Sequence, residues 1–220
     1  MDRANLSQRI TSILSDISRL NNALYALNMT DIQRYPENYE VLCTDAALRG
    51  EWIACRLRHL IYATTRVQKE VYLASAAVLQ GIEIETKNDI LMITLPCVFP
   101  KRKQRQSTEY LLDPFYNALS QYVRAHPIPR LRHCVVCFSH IYAADQPLGR
   151  IRDYDNLELK QFLDVAASFV MTDDGGLSCD TYHTTELGDA DCTRIFIMDR
   201  KHFPGWLAER AISLQSASNQ

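Results

Sequence analysis

No stretch of this 220-residue chain approaches the roughly 18 uninterrupted apolar residues of a membrane span, and the first thirty residues mix charge with apolar side chains. That start lacks a continuous apolar run with a cleavage site, which argues against a signal peptide and for a cytoplasmic protein off the membrane. There is no internal repeat and no low-complexity run, and charged residues make up 23% of the chain. Disorder is therefore expected only in the closing "SLQSASNQ". A second Cys-x-x-Cys is also missing. The seven cysteines are scattered, odd in number and mostly flanked by apolar residues, so they read as reduced and buried rather than as a disulfide framework. The one pair, Cys134 and Cys137, lies in "RHCVVCFSHIYA", which reads as a strand. Residues three apart on a strand face opposite sides, so the two thiols do not converge on one ion.

What is present is enough apolar residue, 47%, to bury a sizeable core. Ile10, Ile13, Leu14, Ile17, Leu20, Leu24 and Leu27 recur at helical spacing and predict a helix over residues 3–28. "RYPENYE" interrupts it. A second helical stretch is expected from a cap at Thr44–Asp45 to about Gln80, completing a helical hairpin suited to dimerisation, docking or packing on its own domain. From Gly81 the character changes. "IEIETKNDILMITLP" reads as two strands around a turn, followed by the basic run "PKRKQRQ" and a helix from about Thr108 to Ala125. Then come the strand "RHCVVCFSHIYA", a helix from Asn156 to Val170, and two strands, "LSCDTYHTTE" and "CTRIFIM", joined by "LGDAD". This is an α+β fold with a small mixed sheet and packed helices behind a helical N-terminal region. The expected parts are a helical extension over 1–80, an α+β domain over 81–205 and a tail over 206–220.

Charge is segregated along the chain. Residues 100–152 carry 9 basic and 3 acidic side chains, whereas 153–220 carry 5 and 12. A basic segment next to an acidic one suits a phosphate-binding surface around a carboxylate cluster, and equally a solvated surface. The cluster is "RIRDYDNLELKQFLD", followed by "TDDGG". If residues 151–155 are extended, Asp153 and Asp155 project on one side, with α-carbons roughly 6–7 Å apart. A divalent cation is a natural reason to keep two carboxylates together, and hard oxygen donors select Mg²⁺ or Mn²⁺. An aspartate-rich helix cap and loop explains the same residues. An EF-hand is excluded, because Leu157 stands where a ligand is needed. His183 lies near the double aspartate and reads as a packed or exposed strand histidine.

At "ITLP", "RDYDNLELKQFLD" and the double aspartate before the expected terminal hairpin, the chain resembles the RusA-type Holliday junction resolvases over about residues 90–198. It also resembles a bacterial family known only as a domain of unknown function. The RusA resemblance implies a RusA-like α+β fold and a homodimer that hydrolyses phosphodiesters of branched DNA with Mg²⁺ or Mn²⁺. Carried over residue by residue, it implies metal-binding and catalytic roles for Asp153, Asp155 and Asp174, and a catalytic role for Lys160. It also places Lys101, Arg102, Lys103, Arg105, Arg150 and Arg152 on the DNA backbone. Lys160 and Asp164 lie one residue further from the aspartate pair than the family spacing, a rotation of about 100° on a helix. The rival expectation is a catalytically inactive nucleic-acid-binding or protein-interaction module, with the N-terminal helices docking a partner protein.

Overall fold

The computed structural model describes residues 3–99 and 109–218. Lys101, Arg102, Lys103 and Arg105 lie outside the described residues. The chain divides into two compact units, Met1–Tyr72 and Leu73–Gln220.

In the first unit α1 (Arg3–Met29) and α2 (Pro36–Thr64) form the expected hairpin. Asp31 closes α1 by accepting the backbone N–H of Gln33 at 2.8 Å and of Arg34 at 3.2 Å. The second helix starts at Pro36, not at Thr44–Asp45: a proline at the first helical position lacks only an N–H that would have no intrahelical partner. That helix also stops at Thr64, and a separate α3 (Lys69–Gln80) follows. Arg56 reaches across the hairpin to an ion pair with Asp16. Only Ile13 and Ala23 of α1 and Ala46, Ile53 and Arg58 of α2 are buried, while Leu14, Leu24, Val41 and Trp52 remain at least half exposed.

The second unit is built on five strands: β1 (Glu83–Lys87), β2 (Ile90–Leu95), β3 (Cys134–Ala143), β4 (Cys179–Gly188) and β5 (Cys192–Asp199). β1 and β2 form a tight hairpin whose turn residues, Asn88 and Asp89, both have positive φ (53° and 61°), the conformation of a two-residue turn matched to strand twist. The order across the sheet is β1-β2-β5-β3-β4, with β3 and β4 parallel and the other neighbours antiparallel. The last two strands are therefore not a hairpin. They flank β3 on either side, because an apolar run with nine buried residues of ten is best placed with neighbours on both edges.

β3 also separates two layers of core. Cys134, Val136 and Phe138 face a cluster containing Leu111, Phe115 and Leu119 of α4 (Glu109–Ala125) and Phe162, Ala166 and Val170 of α5 (Lys160–Val170). Val135 and Cys137 face the opposite way, onto Met198, Phe203 and Trp206. The last two begin α6 (Phe203–Ser218), so the expected tail is a helix that covers the second face of the sheet. Arg210 of α6 holds Glu186 in an ion pair and donates to Thr184 at 2.7 Å and to Ser139 at 3.0 Å.

Candidate functional site

The crossover from β3 to β4 carries the carboxylates. It runs through a 3₁₀ turn at Leu148–Arg150, a second at Tyr154–Asn156, then α5 and the "TDDGG" loop. The α-helix begins at Lys160 rather than at Asn156, because Leu157 and Glu158 are both pulled into the interior before it starts. Residues 151–155 are consequently not one extended strand. Asp153 is extended (φ −66°, ψ 144°) and accepts the Asn156 N–H through its carbonyl at 3.1 Å, whereas Asp155 sits inside the tight turn. The period-2 relation that would put both side chains on one side does not hold.

A cleft of about 440 Å³ opens beside this turn. Asp155, Lys160 and Asp174 all line it, with Glu158, Tyr154 and His183. Asp153 is not among its lining residues. The double aspartate resolves in favour of Asp174, since the Asp173 carboxylate folds back over Gly175: a Cβ there would meet its Oδ2 at 2.9 Å. Lys160 donates to Asp164 at 2.8 Å, one helical turn on, and both side chains are largely exposed.

Of the arginines implied by the resemblance, Arg150 and Arg152 lie among the described residues, and both are engaged within the fold. Arg150 grips Asp191 with both terminal nitrogens and also donates to the Ala143 carbonyl at 3.3 Å. Arg152 donates to the Phe99 carbonyl at 3.2 Å. These contacts fasten the loop preceding the site to the ends of β3 and β5.

Phe138 and His183 line the cleft, and His140 is buried behind them. Phe138 and His140 on β3 and His183 on β4 present three nearly parallel rings, with His183 at 5.4 Å from Phe138 and 5.9 Å from His140. Tyr154 lies over the two imidazoles, at 4.9 Å from His183 and 5.5 Å from His140, and its hydroxyl is 3.0 Å from Thr185 Oγ1. His140 is fully buried, and among the described residues neither of its ring nitrogens has a hydrogen-bond partner; the same is true of Nδ1 of His183. Burial, reinforced by His183, pushes the His140 imidazole down to about 4, and burial lowers His183 as well. His140 is therefore neutral at pH 7. Tyr154 and His140 were legible only as neighbours of the aspartates and of the "CVVC" run, since nothing in their spacing announces a stack across two strands.

Among the described residues no three His, Cys, Asp or Glu side chains form a group that could hold a metal ion. Two carboxylates of the cleft offer the oxygen-donor chemistry that a hard cation takes. Asp155 and Asp174 bring carboxylate oxygens to one cleft from two loops, and Mg²⁺ is commonly held by one or two carboxylates together with substrate phosphates rather than by a full protein cage.

The profile of a family of unknown function (DUF6100) matches residues 2–220. The chain belongs to that family. No curated protein matches it. Among solved structures, the periplasmic domain of Helicobacter pylori MotB (residues 90–256) is similar at 9% identity over 59% of this chain and 86% of that one, with a TM-score of 0.34. At that level neither its fold nor its function carries over.

Proposed function

We propose that this DUF6100 protein is a RusA-type, Mg²⁺- or Mn²⁺-dependent endonuclease that hydrolyses phosphodiesters of branched DNA as a homodimer. The observation that carries the reading is the single cleft lined by Asp155, Asp174 and Lys160, three of the four residues singled out by the RusA-like motif. Asp155 and Asp174 would anchor the cation, while Asp153, extended and outside the turn, does not line the cleft. When bound, such a cation supplies Lewis-acid polarisation of a phosphate and a more acidic water. Lys160 opens its pair with Asp164 and turns its ammonium to the phosphate as negative charge grows there, stabilising the transition state more than the ground state. Backbone phosphates are gripped by Lys101, Arg102, Lys103 and Arg105. With Arg150 and Arg152 engaged in internal hydrogen bonds, their part is to hold the loop that carries the aspartates.

The second reading is an inactive, nucleic-acid-binding or protein-docking relative. It is favoured by the Lys160–Asp164 pair and by the half-exposed apolar side chains of the N-terminal hairpin, such as Val41 and Trp52, which suit a partner protein. The test is nicking of a labelled four-way junction by the full chain in Mg²⁺ or Mn²⁺. Symmetric nicks support the endonuclease; salt-sensitive binding without nicks supports the inactive relative.

A further inference from the structure

The cleft holds a feature that hydrolysis alone does not require. Tyr154 stands on the same 3₁₀ turn as Asp155, one residue before it, and its ring rests on the imidazoles of His183 and His140. One ring face is covered by the histidines, and the hydroxyl is tethered to Thr185, yet the residue keeps 36% of its surface exposed. A side chain needed only to cover the buried imidazoles would be served by an aliphatic group. What stands here is a flat, immobilised aromatic surface opening on a cavity whose size falls in the roughly 300–1,000 Å³ range of small-molecule sites.

We propose that Tyr154 is a stacking platform for an unpaired nucleobase, so that the cleft takes a single-stranded or unstacked nucleotide rather than a fully paired one. This rests on the nucleic-acid reading above and specifies its substrate. Asp155, Asp174 and Lys160 line the same cleft as Tyr154, so a nucleotide stacked there shares its cavity with the candidate hydrolytic groups. Stacking tolerates any base, because every base has a π-face, so the platform confers preference for unpaired structure without sequence readout. In a paired duplex the same base is held in its own stack, and occupying the cleft costs a few kcal/mol of unstacking.

The test uses the full-length Asp155→Asn protein in EDTA, where binding is read without cleavage. A single-stranded oligonucleotide carrying one 5-iodouracil is irradiated with the protein, and the attached residue is located by mass spectrometry. Attachment at Tyr154, lost when the iodouracil is paired in a duplex, is the expected result. In parallel, Tyr154→Leu should weaken single-strand binding by roughly 5- to 100-fold and leave duplex binding unchanged, while Tyr154→Phe binds like the parent. An oligonucleotide that binds with attachment elsewhere, or with equal affinity for Tyr154→Leu and Tyr154→Phe, overturns the platform and leaves the nuclease reading standing. Failure of single-stranded, duplex and four-way oligonucleotides to bind at all overturns both.

Discussion

Arg150 and Asp191 form a two-pronged ion pair, Nη1 to Oδ2 at 2.6 Å and Nη2 to Oδ1 at 2.5 Å, and the same carboxylate accepts the backbone N–H of Ala143 at 2.7 Å. The link between β4 and β5 passes the end of β3 here, and this one carboxylate ties it to both β3 and the loop leading to Tyr154. Hydrogen bonding from Arg150, aided by the Ala143 N–H against the opposing effect of burial, holds the Asp191 carboxyl below the usual range.

Asp191→Asn should therefore lower Tm at pH 7 by about 2–4 °C, the equivalent of about 1 kcal/mol for a bidentate pair that solvent partly screens. A carboxyl depressed in the folded state contributes stability that is present above its unfolded value of about 4 and lost as pH falls through the folded one. The gap between parent and variant should close below about pH 4. Arg150→Ala should show the same loss of Tm with an unchanged salt slope of DNA binding; a slope reduced by about one would assign Arg150 to a phosphate instead.

Thermal or urea unfolding should also report the buried imidazole. His140 takes a proton near 6.5 when unfolded but only at about 4 when folded, so the unfolded state binds more protons in between and stability falls as pH drops through that window. The loss attributable to His140 between pH 7 and pH 5 is about 2 kcal/mol. His140→Phe, which fills the same space without orphaned nitrogens, should flatten the dependence. Identical pH profiles for the two proteins would contradict the assignment.

Thiol chemistry gives a separate check on the sheet. Burial pushes Cys137 up to about 12, and Cys134 is raised by a hydrogen bond shared with Cys179, directly opposite it in the β3–β4 register, and by burial. Cys134 and Cys137 should both resist a disulfide reagent at pH 8 in the native protein and react once it is unfolded. Zinc should leave that reactivity unchanged, because Cys134 and Cys137 belong to different faces of one strand.

Much of this architecture was legible in the residues. The Lys-Asn-Asp turn, the 3.6-residue spacing of α1 and the opposite faces of Cys134 and Cys137 follow from local rules that tertiary packing did not override. The pairing of β4 with β5 did not follow. Two strands joined by three residues look like a hairpin, and only the predominantly apolar character of β3 signalled a strand that needs neighbours on both edges. Pro36 was a helix-start signal that the interruption in "RYPENYE" obscured. At the site, the types Asp155, Lys160 and Asp174 were readable from the motif, but the 3₁₀ turn that separates Asp153 from Asp155 was not. It arises from burial of Leu157 and Glu158, a long-range effect. The Tyr154–His183–His140 stack joins three elements distant in sequence, so no periodicity could reveal it.

The central claim is that the cleft beside Asp155 and Asp174 is a metal-assisted phosphodiesterase site. Its most direct measurement is strand nicking of a labelled four-way junction by the purified full chain in Mg²⁺ or Mn²⁺, with Asp155→Asn alongside. Both aspartates are exposed, so the substitution should leave Tm unchanged. The account predicts symmetric nicks by the parent protein and at least a roughly 100-fold loss of rate in Asp155→Asn. Junction binding with no nicks from either protein, or nicking undiminished by Asp155→Asn, would contradict it.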